Sequence, residues 1–138
     1  MKKRKRGLFI IGMLAALFLT GCSQNQLSDK FDEETVKEEA EKAVELFNER
    51  DYQAIIDMGD ENMKNGITEE QFAEASDPYL DKCGEFQEMG KTVVLGSTNK
   101  ETGMEYGGVV MIGNYENGKI QFTIAFDEDM KLVQFVIK

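Results

Sequence analysis

The spacing of apolar and polar residues changes three times along this 138-residue chain. Gly7 to Leu19 is an uncharged apolar run behind Lys2, Lys3, Arg4, Lys5 and Arg6. From Glu33 onward, Val36, Ala40, Ala43, Val44 and Phe47 return at steps of three and four with Glu and Lys between them, the spacing of an amphipathic helix. Tyr52, Ile55 and Ile56 predict a short second helix over Tyr52 to Met58, stopped by Gly59. Phe72, Ala75, Tyr79, Leu80 and Cys83 mark one face of a third, opened by a Thr68/Gln71 capping box and closed by Gly84. Pro78 inside it removes one helical hydrogen bond and predicts a bend or a split. Beyond Gly84 the period becomes two, with Ile120, Phe122, Ile124 and Phe126 alternating with Gln121, Thr123 and Ala125. "ENGK" at Glu116 to Lys119 supplies a hairpin turn, and four strands are expected near 88–96, 104–115, 119–127 and 130–138. Helices first and a meander second make an α+β domain: three N-terminal helices on a four-stranded antiparallel sheet.

Turn chemistry also predicts register. A two-residue loop at Asn117 and Gly118 sets Tyr115 opposite Ile120, Gly113 opposite Phe122, Met111 opposite Ile124 and Val109 opposite Phe126. A tight turn at Glu128 and Asp129 sets Phe126 opposite Lys131, Ile124 opposite Val133, Phe122 opposite Phe135 and Ile120 opposite Ile137. This apolar face is expected beneath the helices. The other face then carries Val110, Ile112, Asn114, Gln121, Thr123, Ala125, Leu132, Gln134 and Val136, none charged in a chain with 30% charged residues. A merely solvated face of that size would hold about two or three charges, so a covered surface is expected, with shielding by the same chain as the local alternative.

The N-terminal run is too short to cross a bilayer core, which takes about 20 apolar residues, and reads as a secretory signal. Leu19, Thr20, Gly21 and Cys22 directly after it resemble the lipobox of bacterial lipoproteins. That resemblance implies cleavage after Gly21, a diacylglyceryl group on the Cys22 thiol, and anchoring by two acyl chains. Residues 1–21 are then signal and 22–32 the lipidated N-terminus and tether. Ser23 to Lys30, "SQNQLSDK", is polar and without periodicity, and its extended reach is roughly 25 to 30 Å. The globular domain is expected over 33–138.

Loss of residues 1–21 leaves 11 basic against 26 acidic residues, a net charge of −15, which excludes nucleic acid as a partner. Asp29 to Asp81 holds 18 acids and five bases, so this half should point away from anionic headgroups or meet cations or a basic surface. The chain contains no histidine, which removes Ser-His and Cys-His dyads and imidazole metal ligands.

"AEKAVELFNERDYQAIIDMGDENM", "ITEEQF", "CGEFQEM" and "ENGKIQFTIAFDEDMKLVQFVI" resemble a bacterial domain family of unknown function within the nuclear transport factor 2-like superfamily. The resemblance spans roughly Glu38 to Lys138. It implies exported or lipid-anchored proteins, mostly of Gram-positive bacteria, and hence the outer face of a cytoplasmic membrane. It also implies a cystatin-like cone: a helical lid over a curved antiparallel sheet, with a cavity between them. Superfamily members commonly pair through the open sheet face, which makes Val110, Ile112, Thr123, Ala125, Leu132 and Val136 the candidate interface for a homodimer or an envelope protein. Two positions depart from the family pattern, Arg50 before "DY" and Met130 after "FDED", each where a glycine is usual. No catalytic residues carry over.

Enzymes of this cone-like fold place Asp-His or Asp-Tyr pairs in the cavity, so proton transfer here would have to use a carboxylate with Tyr52, Tyr79, Tyr106 or Tyr115. The expected inward surface is apolar and aromatic, which favours a non-catalytic module without cofactor or metal. "DMGDEN" at Asp57 to Asn62 lacks the ligand spacing of a calcium loop and reads as a solvated connection. Cys83 follows Lys82 but lies on an apolar helix face, the setting of an inert buried thiol. Tyr52, Tyr79, Met111, Tyr115, Phe122 and Phe135 are the candidate lining of a pocket for a small apolar ligand.

Overall fold

The computed structural model describes residues 22–138, with side chains from residue 26 onward. The signal segment and the first three lipobox residues, Leu19 to Gly21, lie outside the described residues. The chain order is β1 (Cys22–Asn25), α1 (Glu33–Asn48), α2 (Tyr52–Asp57), α3 (Glu61–Gly66), α4 (Glu69–Cys83), β2 (Phe86–Asn99), β3 (Glu105–Tyr115), β4 (Gly118–Phe126) and β5 (Leu132–Ile137). The strands form one antiparallel sheet in the order β1-β2-β3-β4-β5. The architecture is α+β, and among the described residues four helices stand where three are expected.

Helix α1 begins where Asp32 accepts the Thr35 amide and buries Val36, Ala40, Ala43, Val44 and Phe47, the stripe its periodicity predicts. It ends in a Schellman motif, in which Asp51 N–H donates to Leu46 O and Arg50 N–H to Phe47 O. Arg50 occupies the left-handed position of that motif at φ 61°, and Met130 takes the same conformation at φ 60° in the β4–β5 turn. Both departures from glycine therefore keep the glycine backbone. Helix α4 has the full Thr68/Gln71 capping box and runs unbroken through Pro78 for 15 residues, so the proline does not split it.

The additional helix, α3, lies in the stretch expected as a solvated connection. Asp60 caps it by accepting the Met63 amide, and Met63 is buried. Its start is docked on the sheet: Asp60 N–H donates to Leu132 O at 3.1 Å and Leu132 N–H to Met58 O at 2.9 Å. Gly59 fits only as glycine, because a Cβ there would lie 2.7 Å from that of Met63.

Both predicted registers are corrected. The β3–β4 turn is Glu116-Asn117, one residue early, so Tyr115 pairs with Gly118, Gly113 with Ile120, Met111 with Phe122 and Val109 with Ile124. The slip is an even number of residues in the pairing, which keeps each side chain on its expected face. Gly113 still makes room for Phe122, now diagonally: a Cβ there would lie 3.3 Å from that ring and 2.9 Å from Tyr115. The β4–β5 connection is wider than a two-residue turn, and Phe122 pairs with Ile137 and Ile124 with Phe135. A bulge follows, because Ala125 pairs with Gln134 but Phe126 with Leu132, leaving Val133 as the extra residue. Leu132 thereby turns inward and is fully buried in the core, while Val133 joins Tyr106 and Ala125 in a small cluster on the opposite face. Leu132 is therefore no part of the open face.

The expected tether is also corrected. Cys22 to Asn25 pairs with Asn99 to Gly96 as an edge strand, Phe31 is buried and Leu27 packs against the core. Two irregularities in β2, at Phe86/Glu88 and Met89/Thr92, bend the sheet around the helices.

The Arg50 geometry carries a stability prediction. Arg50→Ala and Arg50→Gly lose the same side-chain contacts, but only Gly relaxes the left-handed backbone. Arg50→Ala should therefore be less stable by about 0.5–1 kcal/mol in urea unfolding. Equal stabilities would show that this position stores no strain.

Candidate functional site

Five rings fill the space between helices and sheet. Phe47 meets Phe122 at 5.2 Å and Phe135 at 5.8 Å, Phe72 meets Phe135 at 5.6 Å, and Tyr52 stacks on Phe72 at 5.1 Å. Phe122, Phe135 and Met111 are almost wholly unexposed members of this core. Tyr52 is buried within it up to its hydroxyl, and Tyr79 packs half-buried against its margin.

A rim cleft of about 220 Å³ is bordered by Asn48, Arg50, Leu80, Gly84, Glu85, Phe86 and Tyr115. The end of α1 supplies Asn48, whose side-chain oxygen accepts a short hydrogen bond from the Tyr115 hydroxyl. The Phe86 ring stands edge-on to Tyr115 at 5.3 Å. Of the six predicted pocket residues only Tyr115 borders this cleft; the register of β3 and the end of α1 bring Asn48 and Arg50 there, which no local pattern announces.

Beside the cleft, Arg50 bridges to α4 through Asp77 at 3.0 Å and Asp81 at 2.9 Å. The Tyr52 hydroxyl donates to the same Asp77 at 2.6 Å. Asp77 and Asp81 are spaced i, i+4 on α4, a signal that was available in the sequence. In this Tyr-Asp pair the Asp77 side chain is 40% exposed and engaged by the Arg50 cation. The hydrogen bond to Asp81 raises the Arg50 pKa above its ordinary value. Burial, reinforced by the Asp77 hydrogen bond, raises the Tyr52 phenol well above its ordinary value. Burial, with the Cys83 thiol as second cause, does the same for Tyr115, and burial alone for Tyr79. Cys83 is buried.

The outer sheet face is ordered in rows. Val93, Val110, Thr123 and Val136 are successive cross-strand partners, and Leu95, Gly108, Ala125 and Gln134 form the next row. Val93 is 42% exposed, and Val110, Ile112, Thr123 and Val136 are partly exposed. Of the expected interface residues, Ala125 is fully buried on this face, and Leu132 lies in the core. Gln134 is also fully buried, and neither polar atom of its side chain has a hydrogen-bond partner. An unmet buried amide costs about 1–3 kcal/mol.

Residues 40–135 match a family described as "Protein of unknown function (DUF3887)". The chain belongs to this family. A solution structure of a protein from Ruminococcus gnavus ATCC 29149 is similar, at 33% sequence identity and a TM-score of 0.72, covering 83% of this chain and 98% of that one. No curated protein matches. Among the described residues no helix is long and apolar enough to cross a membrane.

The raised phenols carry a pH prediction. Tyr52 and Tyr115 ionise more readily in the unfolded chain, so their contribution is fully present below about pH 10 and is lost as pH rises above it. Unfolding free energies measured by urea between pH 8 and 11 should fall above pH 10, and Tyr52→Phe with Tyr115→Phe should flatten the fall. An unchanged slope in the double variant would contradict this.

Proposed function

We propose that the chain is a lipoprotein of the extracytoplasmic membrane face and acts there as a non-catalytic binding or assembly module through the outer face of its sheet. The observation that carries this reading is the uncharged row Val93, Val110, Thr123 and Val136, with Ile112 beside it, on a molecule whose helices carry dense negative charge. Charge on the helices keeps that side in water and leaves the sheet as the surface for a second copy or an envelope protein. Support for the anchor is "LTGC" at Leu19 to Cys22 behind a basic and then apolar segment.

A small-ligand reading has the rim cleft in its favour, but about 220 Å³ falls below the roughly 300–1,000 Å³ of drug-sized ligand pockets. It therefore stands second.

Ile112→Lys with Val136→Lys should leave a folded domain that no longer self-associates in sedimentation or no longer crosslinks to its partner in intact cells. A wild-type domain that stays monomeric at high concentration, together with unchanged crosslinks for the double variant, would refute the interface. For the anchor, Cys22→Ser should release the chain from membranes or leave its signal uncut; unchanged fractionation and migration would refute it.

A further inference from the structure

The junction between anchor and domain is built into the fold. Cys22 pairs with Asn99, Ser23 with Thr98, Gln24 with Ser97 and Asn25 with Gly96, so the lipobox cysteine itself belongs to the edge strand. Paired glycines make room for the segment that follows. Gly96 and Gly107 are cross-strand partners, a Cβ on Gly96 would lie 2.7 Å from Gln26 O and 3.1 Å from Leu27 Cα, and one on Gly107 would lie 3.0 Å from the Phe31 ring and 3.2 Å from Leu27 Cδ1. Two missing side chains thus let residues 26–31 lie directly on the sheet, with Phe31 sealed into the core. A free tether of this length would let the domain wander roughly 25 to 30 Å from the bilayer. The paired strand instead holds Cys22 one strand spacing, about 4.8 Å, from Asn99.

Asn99 opens a hairpin that is itself stiff. Asn99 and Met104 are joined by Asn99 N–H to Met104 O, Gly103 N–H donates to Asn99 O, and the Asn99 side-chain oxygen accepts from the Glu101 and Thr102 amides. Its exposed tip offers Lys100, Glu101 and Met104, the last 42% exposed and one of two large apolar side chains so exposed among the described residues. An apolar side chain beside the neutral Lys100 and Glu101 pair suits a zwitterionic headgroup layer. The adjacent β4–β5 turn carries Asp127, Glu128 and Asp129, which anionic headgroups repel, so contact is restricted to the β2–β3 tip.

Resting on the lipoprotein reading above, we propose that β1 fixes the orientation of the domain on the membrane: the Asn99–Met104 hairpin sits against the phospholipid headgroups, and the rim cleft faces away. The cleft lies at the far end of β2, beside Phe86, and this 14-residue strand spans on the order of 40 Å. The lipid is thus a rigid mount, and the outer sheet face stands on edge relative to the bilayer, open to a neighbour at the same height.

The chain has no tryptophan, so a single one reports position. Full-length Met104→Trp and Gln87→Trp chains, both at exposed sites, are processed in cells, extracted and placed in phosphatidylcholine vesicles with nitroxide-labelled headgroups. Tryptophan at 104 should be quenched several-fold more strongly than at 87. Gly96→Val and, separately, Leu27→Asp displace the docked segment and should collapse that difference while thermal melting shows the domain still folded; Leu27→Asp serves where Gly96→Val does not fold. Equal quenching at the two sites, or a difference that survives displacement of the segment, overturns the proposal. The mass of the N-terminal peptide separates the two claims: a chain without diacylglycerol on Cys22 overturns the anchor and the orientation with it, whereas an acylated chain with equal quenching overturns the orientation alone.

Discussion

The contact on which this fold turns is that of Phe47 with Phe122 and Phe135. It joins the end of α1 to the middle of β4 and β5, and Phe72 and Tyr52 extend it to α4 and α2. Edge-to-face and tilted rings of this kind contribute about 0.5–1.5 kcal/mol per pair beyond the area they bury. Three helices and two strands are therefore located by one group of side chains. The rim cleft beside Tyr115 lies at the margin of this ring cluster.

Close approach is the second constraint. Gly113 admits the Tyr115 and Phe122 rings, and the Gly96–Gly107 pair admits the N-terminal segment. At each place a methyl group would meet atoms too near to yield without movement. Large rings and absent side chains are thus complementary parts of one packing solution. The N-terminal segment is part of the folded unit for the same reason.

Charge divides the molecule along the same layers. Carboxylates crowd the exposed sides of the helices, and the few ion pairs among them, such as Arg50 with Asp77 and Asp81, are half-exposed and each worth about 0–1 kcal/mol. Their weight lies in geometry: they bind the left-handed residue after α1 to α4 and so shape one wall of the rim cleft. The outer sheet face is arranged in cross-strand rows, with the uncharged row Val93, Val110, Thr123 and Val136 at its middle and Glu88, Asn114 and Lys119 toward one end.

Periodicity by itself determined which residues face the core in α1, α4 and β4, because a side chain's direction repeats every 3.6 residues in a helix and every two in a strand wherever the element is placed. The Thr68/Gln71 capping box was equally legible, being satisfied within one turn. The polar edge strand at Cys22 was not, since its hydrogen bonds are to residues more than 70 positions away and its floor is a pair of distant glycines. Helix α3 was hidden for a similar reason: six residues with one buried methionine hold together only when Gly59 and Asp60 are clamped to Leu132. The bulge at Val133 inverted two residues, and the β3–β4 register slipped by an even step that left the faces intact. Local spacing states which way a side chain points. Only the summed packing of the whole domain selects the partner it meets, because the alternative registers differ by a few contacts that no short segment contains.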